Sequence, residues 1–376
     1  VTARDHARLL AGALALAIAT AWPSAQAHDD RRGDARAEAA RAPLLGVGKR
    51  ALAAGDAATA IEALERAAAL GHAAEVELEL VRAYLQAGRY RQALGFGAHV
   101  AGEHHDTTAP AALYAWLLAA GGQEPYARRV LDEALRLAPG DPLALATREA
   151  MDMASPLASG PMLDEDHAMA PSGNGAGPAP AAHARIAATA VLLDEHRALA
   201  PLAALPRHGR LWVRNGLGQT TPAAVRHERT DLGLALLQLD APLPLDEATP
   251  YAGRDPFAGS PGFVVAYASS ADGAPAWPWL RLGFLGMPAG RDRVQRRLGI
   301  AAPASAVGAP VFDAAGRLAG ITLPQQAGDA VWLPISTWAD WLPARPAPSP
   351  APQRPVAPDL VYERSLRIAL QLLVAD

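Results

Sequence analysis

Three glycines impose the strongest constraint on this chain. Gly55, Gly88 and Gly122 are spaced 33 and 34 residues apart, and the residues after each recur at fixed offsets: Ala60, Ala93 and Ala127, then Leu64, Gly97 and Leu131, then Ala67, Val100 and Ala134. A constant period of small and apolar positions is what a stack of like units requires, each burying its face on the next. A generic antiparallel helical bundle has no need of one. The third unit ends in Leu137, Ala138 and Pro139, and the stretch from Pro142 to Met151 reads as a helix that caps the exposed end of the stack.

Length and composition narrow the rest. At 376 residues the chain holds two domains with linkers, each able to bury a core. Its formal net charge is only −4, so no global field points to nucleic acid as a partner. Cysteine is absent, which excludes a disulfide framework, a thiolate metal site, a cysteine nucleophile and a lipid anchor on an N-terminal Cys. Residues 1–27 carry Arg4 and Arg8, an apolar run from Leu9 to Trp22 and the small-x-small triplet Ala25-Gln26-Ala27. They read as a Sec-type signal peptide cut before His28, which predicts a periplasmic or secreted protein with no transmembrane segment in the mature chain. Residues 28–43 form a charged, Ala-rich leader.

The repeat over residues 44–151 resembles the tetratricopeptide repeat, whose period is 34, with a small residue where its two helices cross and a proline after the second. About three units and a capping helix are covered. The resemblance implies an α-helical solenoid with a concave groove lined by the first helix of each unit. Counted from the aligned glycines, one groove-facing column holds Lys49, Arg82 and Trp116, two cations and an aromatic suited to a carboxylate and an apolar side chain of an extended peptide. A solvated face with a Trp packed on its neighbour is the blander alternative. His99, His104 and His105 follow in the second unit and its loop; with no carboxylate pattern beside them, they read as surface histidines.

Residues 152–183 are rich in Pro, Gly and Ala and read as an interdomain linker. Met151, Met153, Met162 and Met169 cluster at this linker with His167, and thioether and imidazole ligands suit Cu(I). These are weak candidates, and no cofactor is expected.

From 184 to 342 short apolar runs alternate with turn clusters, as in an all-β domain. Pro310 to Phe312 and Leu318 to Thr322 flank a turn at Asp313 to Arg317 and read as a β-hairpin. This hairpin resembles the nucleophile hairpin of trypsin-like serine peptidases of the Deg/HtrA kind, where the pattern is G-N-S-G-G-P-[VL]-F-[DN]. Further segments follow in family order, among them Thr189 to Asp194, Ala198 to Leu205, Arg210 to Arg214 and Thr230 to Leu237. The resemblance implies a double β-barrel, with a Ser nucleophile, a His base and an orienting carboxylate in the family. Registered on Pro310, the nucleophile position falls on Val307 and the oxyanion loop loses glycines at Ser305 and Ala309. The base position falls on Ala203. The carboxylate position falls on Asp231 or, in an ungapped match, on Gly233. Three histidines lie in this region, His196, His208 and His227, and a rewired Ser305/His208 pair is the remaining route to catalysis. Ser305 is two residues from Val307, roughly 6 to 7 Å along a strand.

Residues 343–358 form a Pro-rich spacer. Residues 359–376 read as an amphipathic helix to about Val374, with Leu366, Ala369, Leu370 and Leu373 at helical spacing, docking on its own repeats or on another protein. The expectation for the whole is a secreted scaffold for a protein or extended-peptide partner: a tetratricopeptide solenoid, an inactive trypsin-like double barrel and a C-terminal helix. The alternatives are an active peptidase through Ser305 and His208, and a copper-binding protein through the Met/His linker.

Overall fold

The glycines that set the period are helix stops. In the computed structural model, Gly55, Gly88 and Gly122 have φ of 75°, 74° and 81°, a left-handed conformation that a Cβ disfavours. The residue after each donates its N–H five residues back, Asp56 to Ala51, Arg89 to Tyr84 and Gln123 to Leu118, which closes the first helix of each pair. Asp56 then caps the next helix, accepting the Thr59 N–H at 3.0 Å. The small residues that share an offset, Ala60, Ala93 and Ala127, are fully buried where paired helices cross.

The structure describes residues 31–104, 107–152, 179–267, 273–289, 294–302, 306–326, 329–342 and 354–375. The expected signal peptide, Ser305 and most of both linkers lie outside them. Two compact units divide the chain, residues 1–40 and 41–376. The first contributes the opening turns of helix α1 (Arg31–Ala53), and every other helix and strand among the described residues belongs to the second. The remaining helices of the repeats are α2 (Ala57–Ala68), α3 (Ala74–Gln86), α4 (Tyr90–Glu103), α5 (Ala109–Ala120), α6 (Glu124–Leu137) and α7 (Pro142–Asp152). Among the described residues no helix is long and apolar enough to cross a membrane.

The β-region consists of β1 (Arg185–Asp194), β2 (Arg197–Pro201), β3 (Arg210–Asn215), β4 (Thr220–Arg229), β5 (Leu234–Leu239), β6 (Ser260–Ala266), β7 (Trp279–Pro288), β8 (Arg296–Gly299), β9 (Pro310–Asp313), β10 (Leu318–Gln326) and β11 (Asp329–Pro334). The predicted hairpin is present as β9 and β10, with Gly316 at φ 69° in its turn. A helix, α8 (Pro358–Ile368), and a strand, β12 (Ala369–Ala375), complete the second unit. The strands close two antiparallel barrels of six, in the orders β1-β12-β3-β4-β5-β2 and β10-β11-β8-β7-β6-β9.

The C-terminal segment departs from the expected single helix over 359–376. The helix ends at Ile368, and Ala369, with ψ 128°, turns the chain into a strand. All seven residues of β12 are buried, and the strand fills the gap between β1 and β3, with Leu370 opposite both Ala190 and Asn215. A run that is apolar at all but one position satisfies helical and extended spacing equally, so periodicity does not separate them. Its one polar side chain, Gln371, is bound by Arg214 at 3.2 Å and by the Ala274 carbonyl at 3.2 Å.

Helix α8 docks on the chain's own repeats. Arg91 on α4 reaches Asp359 at 3.2 Å, and its backbone N–H donates to Glu363 at 2.7 Å. The next repeat turn rests on the second barrel: a Cβ at Gly122 would lie 2.4 Å from Leu282 and 2.6 Å from Leu280 of β7.

Candidate functional site

The position aligned with a peptidase nucleophile lies where the barrels meet. The half-buried Val307 offers its carbonyl to the Thr189 N–H of β1 at 2.9 Å. Gly308 beside it has φ 79°, and a Cβ there would come 2.0 Å from the Thr189 carbonyl oxygen and 2.6 Å from Pro201 Cδ. The loop is fixed from the other side by Thr322. Its carbonyl accepts the Gly308 N–H at 3.0 Å, its hydroxyl accepts the Ala309 N–H at 2.8 Å, and the same hydroxyl donates to the Ala306 carbonyl. Val307 is thus held by backbone geometry against the middle of β1 and the end of β2, with an aliphatic side chain.

The other aligned positions lie on the first barrel, after β2 and between β4 and β5. Ala203 is exposed in the 3-10 turn Leu202–Ala204 that follows β2. Of the two carboxylate positions, Gly233 is the one tied to this turn, accepting the Leu202 N–H at 2.8 Å. Asp231 is exposed and chelated by Arg229 at 2.9 and 3.0 Å, whose hydrogen bonds hold its carboxyl below the usual range. His196, His208 and His227 are all exposed, and none has a hydrogen bond from its ring among the described residues. The Ser305/His208 pair has only its histidine described. Beside Ala306, a space walled by Val264, Ala266, Tyr267, Trp279, Arg281 and Ala302 measures about 10 Å³, room for one water at most.

The peptide-groove column does not exist as a column. Lys49 remains at the surface, paired with Glu75. Arg82 is 5% exposed and donates to Glu79 at 2.6 Å; burial pushes the Glu79 carboxyl up despite that guanidinium. Trp116 is 1% exposed and meets Trp277 edge to face, ring centroids 6.4 Å apart. The reason is the sequence of α5, Ala-Pro-Ala-Ala-Leu-Tyr-Ala-Trp-Leu-Leu-Ala-Ala, which has no polar face and is covered by its helical neighbours and by the segment leading into β7. Trp116 therefore fastens the repeats to the second barrel instead of receiving a peptide.

Of the copper candidates, Met151 is 3% exposed and part of the helical core. Met153, Met162, His167 and Met169 lie outside the described residues, as does His105. His104, expected at the surface, is bound to the buried Glu77 at 2.8 Å, and His72 reaches the same carboxylate at 2.8 Å. Only the antiparallel pairing of α3 with α4 brings these residues together.

A cleft of about 670 Å³ separates the turn from Ala87 to Gln92, the segment from Leu245 to Pro250 and α8. Most of its charges are satisfied internally: Arg367 binds Asp246 at 2.9 Å, Arg364 approaches Glu247 at 3.6 Å, and Arg91 binds Asp359.

The chain thus combines helical repeats with two closed six-stranded antiparallel barrels, an architecture like the trypsin-like double barrel, with β12 from the C-terminal segment completing the first. Residues 51–117 match the family model described as tetratricopeptide repeat. Similar solved structures include the MamO protease domain from Magnetospirillum magneticum in its apo form, 16% identical, with a TM-score of 0.35 over 46% of this chain and 94% of that one. Another is the HtrA-type protease AlgW with decapeptide, 16% identical, with a TM-score of 0.34 over 40% of this chain and 49% of that one. No curated protein matches the sequence.

Proposed function

We propose that this chain is a non-hydrolytic scaffold that holds a protein partner outside the cytoplasm, in the periplasm or as a secreted protein. One observation carries the reading. The nucleophile position is Val307, locked by Gly308 and Thr322 against the first barrel, while the base position is the methyl group of Ala203. General-base activation of a hydroxyl needs an imidazole or an equivalent base within about 3 Å or one water of it. The aligned positions supply neither hydroxyl nor base.

Tetratricopeptide repeats commonly serve as protein-binding surfaces, which supports a protein as the partner class. The contact face is not the Arg82 and Trp116 column, which the fold consumes. Leu282, Phe284 and Met287 expose 43, 59 and 66% of their surface along β7, beside the turn that docks the repeats. Three apolar side chains on one strand offer a partner an apolar contact. The leader-like residues 1–27 support the extracytoplasmic location.

A serine-reactive fluorophosphonate distinguishes this reading from the peptidase alternative. The purified chain should remain unlabelled and should leave casein and peptide libraries intact. Labelling that disappears in Ser305→Ala would establish a rearranged active site and end the scaffold reading. Affinity capture then addresses the partner: the wild type should retain a specific protein that Phe284→Glu releases.

A further inference from the structure

Glu77 is a carboxylate with 3% exposure in the first turn of α3, and three imidazoles stand around it. His72, in the turn before α3, donates to Oε1 at 2.8 Å, and His104, at the end of α4, donates to Oε2 at 2.8 Å. His99, on the last turns of α4, has no hydrogen bond among the described residues; its ring lies 6.0 Å from that of His72 and 5.8 Å from that of Phe96. One donor atom from each of His72, Glu77 and His99 lies within 4.8 Å of the other two. Helices α3 and α4 run antiparallel, so the start of one lies beside the end of the other, and residues from three separate turns converge.

Compensation of a buried carboxylate explains two of these rings. A hydrogen bond to each oxygen leaves neither Glu77 oxygen without a partner, and His72 and His104 provide them. It leaves His99 unexplained, aimed at the same point and bonded to nothing there. We propose that His72, Glu77 and His99 form a binding site for a divalent first-row transition cation, with zinc the best match. Two imidazoles and one carboxylate are ligands that zinc accepts in tetrahedral geometry, with the fourth position left to solvent. Bonds of about 2.0 to 2.1 Å place tetrahedral donors roughly 3.3 Å apart, so binding requires the side chains to turn inward, and a His72 nitrogen that donates to Glu77 gives up its proton before it can ligate.

His104 completes the arrangement as a positioning residue. By holding Oε2 it turns Oε1 toward His72 and His99, as outer hydrogen bonds orient carboxylate ligands at metal centres. Access comes through His72, whose side chain is 50% exposed. A bound cation would clip the end of α4 to the start of α3 within the second repeat.

The test is isothermal titration of Zn2+ into the full chain, made without an affinity tag and stripped with chelator. The wild type should show one saturable site whose affinity falls more than about tenfold in His99→Ala and in His72→Ala. Because His99 holds none of the Glu77 hydrogen bonds, His99→Ala should keep the wild-type circular dichroism. His104→Gln should weaken binding about 10- to 100-fold without abolishing it. Absence of a saturable site overturns the proposal, as does affinity within tenfold of wild type in both alanine variants. The second outcome would assign any zinc uptake to histidines elsewhere in the chain.

Discussion

Tyr90 on α4 and Tyr362 on α8 meet edge to face with ring centroids 4.4 Å apart, and both are fully buried. Their hydroxyls fan outward, Tyr90 to the Leu117 carbonyl at 2.8 Å and Tyr362 to the Pro278 carbonyl at 2.9 Å. Burial pushes both phenols well above the ordinary tyrosine range. One ring pair thereby joins the repeats, the C-terminal helix and the approach to β7.

Truncating that joint should loosen every part it touches. Tyr362→Ala removes a large buried ring and should cost about 3–5 kcal/mol, whereas Tyr362→Phe loses one hydrogen bond and should cost about 1–2 kcal/mol. Denaturant unfolding followed by far-UV circular dichroism and by tryptophan fluorescence checks both values. Coincident transitions in the two signals are expected, because helices and barrels share the joint.

The Arg82 and Glu79 pair is nearly dry, and Glu79 Oε2 and Arg82 Nε have no hydrogen-bond partner among the described residues. Arg82→Met strands a buried carboxylate and should destabilise by about 3–5 kcal/mol. Replacing both residues, Glu79→Leu with Arg82→Met, should recover most of that loss. A double-mutant cycle on thermal stability reads the difference.

Gly308→Ala asks for a Cβ 2.0 Å from the Thr189 carbonyl oxygen at a φ of 79°. Left-handed strain and overpacking together should cost about 2–5 kcal/mol. Val307→Ser, one residue away on the half-buried side of the loop, should fold normally and still fail to react with a fluorophosphonate, since no base accompanies the new hydroxyl.

Acid should weaken the junction between repeats and barrel. Glu124 on α6 accepts from Arg128 at 2.7 Å and from Arg281 of β7 at 2.6 Å, and the Arg281 guanidinium stacks 3.6 Å over Trp279. Burial works against the Glu124 charge, but the two guanidinium groups hold its carboxyl below the usual 4.5. A depressed folded-state pKa contributes stability above the unfolded value and loses it as pH falls through the folded one. Glu124→Gln should therefore destabilise by about 1 kcal/mol at pH 7. That difference should shrink as pH falls below about 4.5, as paired thermal melts across pH would show.

Much of this architecture is legible in the residues because it rests on local rules. A glycine repeated every 33 or 34 residues marks helix ends, since each of these glycines takes the left-handed conformation that a Cβ disfavours. The β9–β10 hairpin is equally explicit in its turn. What is not legible depends on packing between distant segments. Leu370 to Val374 fit a helix or a strand equally well until β1 and β3 leave a gap for them. Trp116 occupies a groove position in an isolated repeat and becomes interior against Trp277, a neighbour the repeat pattern cannot name. Glu77 lies 22 residues from His99 and acquires its imidazoles only when two helices fold back on each other.

The position of β12 also dictates a timetable. During synthesis β1 to β5 emerge before any strand of the second barrel, yet β1 and β3 share a neighbour that the ribosome delivers only after residue 369. The second barrel, β6 to β11, is contiguous and can seal as soon as Pro334 is free. Until β12 arrives, β1 and β3 present open edges to any extended chain nearby, and unpaired edges are where strands from other molecules add. The barrel begun first is finished last, so its closure reports that translation has passed the end of both.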